Sequence, residues 1–182
     1  MEEAAEDYLF SFEKLFPYAD YFVLNVSSPN TPGLRTLQHA KALDELLETV
    51  QGSNFEQTAP KPVLVKIAPD LEFGEIEEII EVALRRKVAG VVATNTSLDK
   101  SSIPENFRRE EGGLSGRPLR ARSTEIVKFI ASRTQLPIIA VGGIFDADSA
   151  REKLDAGAAL LQVYTGFVYR GPGLIREIRE IG

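Results

Sequence analysis

The sequence predicts an α/β protein of (β/α)8-barrel type, incomplete at about five βα units. Two observations carry this reading. Short runs that are apolar on both faces alternate with longer amphipathic segments, the pattern of a parallel sheet covered by helices. Polar residues also collect where each of those runs ends. Contributions from successive strands fit a barrel mouth better than the single switch point of an open doubly wound sheet.

The elements follow in chain order. The opening segment carries Tyr8, Leu9, Phe12, Leu15 and Phe16 at helical spacing. The first strand spans Asp20 to Val26 and runs into a loop held by Pro29, Pro32 and Gly33, with a helix from about Leu37 to Val50. The second strand, Pro62 to Ala68, is apolar except for Lys66 and leads to a helix over Glu75 to Arg86. The third, Gly90 to Thr94, opens the longest irregular stretch, Ser97 to Gly116, whose length suggests an active-site loop. A helix over Arg120 to Arg133 follows. The fourth strand, Pro137 to Val141, ends in Gly142-Gly143, and Asp146 starts a helix that runs from Ala147 to Ala156. The fifth, Ala159 to Tyr164, passes through a Gly171-Pro-Gly173 turn into a last helix, Leu174 to Ile181. A full barrel has eight such units in about 250 residues. The expectation is one partial barrel domain over residues 1–182.

Composition narrows the chemistry. The chain is 43% hydrophobic and 26% charged, ordinary for a globular protein, with a net charge of −6. That balance argues against nucleic acid as a partner and against a polybasic membrane patch. There is no cysteine, which excludes disulfides, thiolate catalysis and cysteine metal sites. His39 is the only histidine and is expected on the exposed side of a helix, so neither a histidine metal site nor a Ser-His-Asp hydrolase is indicated. No apolar run approaches the roughly 20 residues that span a bilayer. The start of the chain is acidic and unlike a signal peptide, so a cytoplasmic location is expected.

Lys66 is the first candidate for chemistry. Period-two alternation puts it on one face with Leu64, and Val63, Val65 and Ile67 on the other. A buried ammonium is costly without a partner, so Lys66 either points at a ligand in the barrel interior or pairs with a carboxylate or the rim. Gly142 and Gly143 let backbone N–H groups approach an anion, or they simply make a tight turn. With the glycine-containing Gln162-Val-Tyr-Thr-Gly166 loop on the next strand, they favour a phosphate-tailed ligand. Thr94-Asn-Thr96 offers groups for a polar planar ligand, or a plain turn. Gly112-Gly-Leu-Ser-Gly-Arg-Pro118 is a phosphate cradle or a flexible hairpin and fits no Walker or Rossmann fingerprint. Ser27 and Ser28 follow the first strand and, on their residue type alone, are loop serines.

Asn25-Val-Ser-Ser-Pro-Asn-Thr-Pro-Gly-Leu-Arg-Thr-Leu-Gln38 is the most informative stretch. With Val65-Lys-Ile-Ala-Pro-Asp70, Ala93-Thr-Asn-Thr96, Gly112 to Leu119 and Ile139-Ala-Val-Gly-Gly-Ile144, it resembles class 2, quinone-dependent dihydroorotate dehydrogenases, over nearly the whole chain. Class 1 relatives carry cysteine where Ser28 stands. The resemblance implies FMN as cofactor and oxidation of dihydroorotate to orotate in pyrimidine synthesis, with a quinone reoxidising the flavin. It implies Ser28 as the base that takes the C5 proton, with Thr31 assisting the relay. Asn25 would contact both flavin and substrate, Asn30, Asn95 and Thr96 the substrate, and Lys66 and Thr94 the flavin. Gly116, Gly143, Tyr164 and Thr165 would surround the ribityl phosphate. The loop from Pro29 to Arg35 would act as the lid.

Measured against that family, a membrane-associating helical pair and the first three barrel strands have no counterpart in this sequence. The five units would be the fourth to eighth strands. Two strand edges would then be exposed, so the chain is expected to self-associate through them or to be a fragment of a longer protein. The activity belongs to the full-length family, and this chain alone is not expected to turn over. Two other readings stand beside it: a different phosphate-binding barrel lyase or isomerase using Lys66 as a Schiff base, and a non-catalytic fragment that keeps a flavin half-site.

Overall fold

The computed structural model describes residues 2–181, so Met1 and Gly182, the ends of the expected domain, lie outside it. Five parallel strands form one sheet in chain order: β1 (Phe22–Asn25), β2 (Val63–Ile67), β3 (Gly90–Ala93), β4 (Ile138–Val141) and β5 (Leu160–Gln162). Strictly sequential parallel order is that of a barrel wall; a doubly wound sheet would reverse order at its switch point. The sheet ends at β1 and β5, which makes this an incomplete barrel.

The helices are α1 (Glu2–Leu15), α2 (Ala40–Glu56), α3 (Phe73–Arg85), α4 (Glu105–Arg108), α5 (Arg120–Arg133), α6 (Ala147–Asp155), α7 (Thr165–Arg170) and α8 (Pro172–Arg179). No described helix is long and apolar enough to cross a membrane. Side-chain alternation along the strands decides what they cover. Val63, Val65 and Ile67 of β2, Val91 and Ala93 of β3, and Ile138 and Ala140 of β4 share one face. They pack on Leu43, Leu46, Leu47 and Val50 of α2, Ile76, Ile79 and Ile80 of α3, and Ile126, Val127 and Ile130 of α5. Each such Val, Leu or Ile side chain contributes roughly 1.5–3 kcal/mol by leaving water. Phe12 of α1 extends this covered face over β1, with its ring 4.5 Å from that of Phe22.

The other face is the barrel interior. Asn25, Lys66, Val92, Ile139 and Leu160 stand in one row across all five strands, as the register requires. At the ends of this row the side chains meet few neighbours, and Leu160 is 61% exposed. The expectation of strands apolar on both faces therefore holds, but β1 and β5 are not buried on both.

Local differences have local causes. The helix expected from Leu37 begins as a 3-10 turn over Leu34–Gln38, then an α-helix that continues to Glu56. His39 is exposed, as expected, but it precedes α2 in an extended conformation instead of lying within it. The stretch Ser97 to Gly116 is not wholly irregular. An antiparallel bridge joins Ser97 to Leu114 and closes a loop containing α4.

Candidate functional site

All five strands deliver polar groups at their carboxyl ends. From β1, Asn25 lies on the interior face, and the chain then buries Val26 and Ser27 completely. β2 contributes Lys66. From β3 come Thr94, which is buried, then Asn95 and Thr96. β4 ends in Gly142-Gly143, and β5 leads through Gln162 and Val163 to Tyr164 and Thr165. A cavity of about 240 Å³ lies over these ends. Lys66, Thr94, Asn95, Thr96, Gly116, Gly143, Tyr164 and Thr165 all line it, together with Ser115 and Gln162.

Lys66 has the simplest electrostatics. It is half-buried, and burial lowers its pKa from the ordinary lysine value. No ion pair or hydrogen bond to its ammonium is found among the described residues. Of the alternatives for this lysine, a structural carboxylate partner is absent there. The ammonium faces the cavity.

At the opposite wall three loops meet. Gly142 and Gly143 have φ of +119° and +73°, and Gly116 has +84°. Those backbone conformations suit glycine, and all three residues line the cavity. Space is also tight: a Cβ on Gly143 would sit 2.4 Å from Arg120 Cα, and one on Gly116 3.1 Å from Thr165 Cγ2. The Thr165 hydroxyl donates to Ser115 Oγ at 3.0 Å, joining the loop after β5 to the loop before α5. The Gly112 to Pro118 segment thus has two parts. Gly116 belongs to this wall, whereas Gly113 packs between Thr96 and Pro29 with no room for a side chain.

The asparagines form a separate network. Asn95 Nδ2 donates to Asn25 Oδ1 at 2.9 Å and to Ser27 Oγ at 3.0 Å, and Ser27 Oγ lies 3.3 Å from Asn25 Oδ1. Asn25 is joined to the cavity through Asn95 and does not line it. Ser28, Asn30 and Thr31 lie outside the cavity lining, in the loop that follows β1. Ser28 Oγ accepts from the Asn30 backbone N–H at 3.3 Å. Asn30 Oδ1 would be 3.6 Å from a Cβ on Gly112, so this loop and the glycine loop are neighbours. Thr31 is exposed.

Arg35 ties these parts together, although the sequence marks it only as the end of the expected lid. Its guanidinium donates to Ser27 O at 3.2 Å, to Thr96 O at 2.8 Å and to Asp70 Oδ2 at 2.6 Å. Asp70 also accepts from the Ser97 hydroxyl and from Leu98 N. One planar fork therefore fixes the ends of β1, β2 and β3 relative to each other.

A profile of the dihydroorotate dehydrogenase family matches residues 1–181. A dihydroorotate dehydrogenase (quinone) of Christiangramia forsetii is 51% identical over 98% of this chain and 53% of its own length. One from Synechococcus sp. (strain JA-3-3Ab) is 54% identical over 98% of this chain and 49% of its own length. The ligand-free crystal structure of DHODH from Eimeria tenella superposes with a TM-score of 0.91 at 36% identity, covering 97% of this chain and 54% of that one. The same enzyme in complex with ferulenol gives 0.89 at 35% identity, covering 97% and 52%. The chain spans about half the length of these relatives. Sequential parallel strands with polar carboxyl ends, the family profile along the chain and these matches agree: the chain belongs to the dihydroorotate dehydrogenase family.

Proposed function

We propose that this chain forms one partial barrel domain carrying the flavin- and orotate-binding strand ends of a quinone-dependent dihydroorotate dehydrogenase. The observation that supports it best is the unpartnered Lys66 ammonium facing a cavity whose far wall is built from positive-φ glycines. A flat ring that gains negative charge and a phosphate tail fit those two ends of one cavity. The residues present therefore suit FMN, with Lys66 and Thr94 at the ring and Gly116, Gly143, Tyr164 and Thr165 at the phosphate. When bound, FMN would supply a two-electron acceptor that a quinone reoxidises.

The chain's own residues would then divide the work. Lys66 places positive charge beside the ring and stabilises negative charge there. Asn25, Asn95 and Thr96 hold the polar dihydroorotate ring by hydrogen bonds, with Asn30 reaching it from the lid. Ser28 accepts the C5 proton, and Thr31 assists the relay to water. A serine is a poor base in bulk water, so this step needs the lid closed. In the structure the Ser28 hydroxyl faces Asn30 N instead of the cavity, which fits an open lid. Oxidation of dihydroorotate belongs to the whole barrel, and this chain alone binds without turnover.

Orotate added to the FMN-loaded chain tests the reading. A saturable shift of the flavin absorbance, lost in Asn95→Ala, is expected. No shift at any orotate concentration would remove the substrate assignment. Borohydride trapping of a carbonyl substrate on Lys66 would instead establish the lyase reading.

A further inference from the structure

Lys153, on α6, is fully buried, and its ammonium meets no carboxylate among the described residues. It donates to Arg120 O at 2.8 Å and to the hydroxyls of Ser123 and Thr124. The nearest carboxylate, Glu152, is taken by Arg120 at 2.6 Å and by the Thr124 hydroxyl. A buried charge held only by neutral oxygens is an expensive way to join two helices, and an apolar side chain of that size would pack as well.

What those oxygens support explains the charge. Ser123 Oγ lies 3.0 Å from Gly142 O. Gly142 and Gly143 rest directly on α5, where added Cβ atoms would meet Ser123 Oγ at 2.9 Å and Arg120 Cα at 2.4 Å. The two residues that seat the glycine turn, Arg120 and Ser123, are thus two of the three that Lys153 grips. We propose that Lys153 is a positioning residue for an anion held at the Gly142-Gly143 turn, setting the turn through Ser123 and Arg120 and placing a fixed positive charge behind it. This rests on the reading of that wall as the phosphate end of the flavin site.

Three donors meet three acceptors only when Lys153 is protonated. Burial lowers its pKa to about 8, offset in part by Glu152 and reinforced by Arg120. Asp146 lies beyond, near Arg120 and Arg117, while Glu177 and Arg170 bind the far end of α6 at Ala147 N and Phe145 O. The ammonium is therefore present below about pH 8 and lost above it.

The test compares FMN with riboflavin, which lacks the phosphate, on the parent chain and on Lys153→Met. FMN should bind the parent more tightly than riboflavin, and Lys153→Met should cut that preference by about tenfold while leaving riboflavin affinity unchanged. An unchanged preference in a folded Lys153→Met, or equal loss for both ligands, overturns the proposal. No preference in the parent overturns the phosphate reading itself, and this inference with it. Should Lys153→Met fail to fold, the parent alone decides: its preference for FMN should fall between about pH 7.5 and 9.5. A flat ratio over that range overturns the proposal.

Discussion

Replacing Arg35 by Met should loosen the mouth of the barrel without touching its core. The guanidinium makes three hydrogen bonds, to Ser27 O, Thr96 O and Asp70, and the two side chains of the ion pair keep 20% and 28% of their surface. Hydrogen bonds to a charged group are worth about 1.5–3 kcal/mol when well shielded. Here water can reach the freed carbonyls and Asp70, so the two carbonyl bonds together contribute about 2 kcal/mol and the pair about 1 kcal/mol. A total near 3 kcal/mol predicts a melting temperature lower by roughly 6–12 °C for a chain of this size. Arg35→Lys keeps the charge but not the fork and should lose about half as much. Asp70→Asn should cost about 1 kcal/mol, and the Arg35→Met/Asp70→Asn double variant should cost less than the sum, because the pair can be lost only once. Thermal melts followed by circular dichroism, with urea titrations for each variant, measure these differences. An Arg35→Met melt within about 2 °C of the parent, or strict additivity of the double variant, would refute the idea of a clamp across three strand ends.

Three further outcomes follow from named contacts. Lys66→Met should raise stability by about 0.5–1 kcal/mol, since it removes a desolvated ammonium, yet weaken FMN by about tenfold; a loss of stability would contradict the unpaired lysine. Asp44 is held below the usual carboxylate range by hydrogen bonds from Arg86 and Arg85, so its folded pKa lies under the unfolded value of 3.8. Its contribution is therefore complete above about pH 5 and is lost as pH falls through the carboxylate range; the urea midpoint should drop on acidification, and Asp44→Asn should flatten that drop. The open interior face, with Leu160 and Tyr21 61% and 54% exposed, should drive self-association, seen as a sedimentation coefficient that rises with protein concentration; a monomer at every concentration would contradict it.

The facing of Lys66 was legible because it depends on a short-range pattern. A strand's period of two places Lys66 opposite Val63, Val65 and Ile67 wherever the strand sits, and the structure has it so. Gly116 and Gly143 were legible because a positive φ leaves glycine as its mark. Arg35 stood inside a recognisable motif, but its partners Asp70 and Thr96 lie 35 and 61 residues away, a pairing that local pattern cannot show. Lys153 was hidden for another reason. In Arg151-Glu-Lys153 it has the look of a solvated helix face, and only its place one turn after the buried Ser149 and Ala150 hints at the interior. Ser27 and Ser28 exchange prominence: the buried Ser27 joins the asparagine network, while Ser28 turns to its own loop. That orientation depends on how the lid stands, which residue identity does not encode.

The central claim is that these five strand ends hold a flavin. Titrating FMN with the purified chain and following flavin fluorescence tests it most directly. Saturable quenching with a dissociation constant in the micromolar range, weakened in Lys66→Met, is the predicted result. No binding at tens of micromolar, an affinity weaker than about −6 kcal/mol, would contradict it.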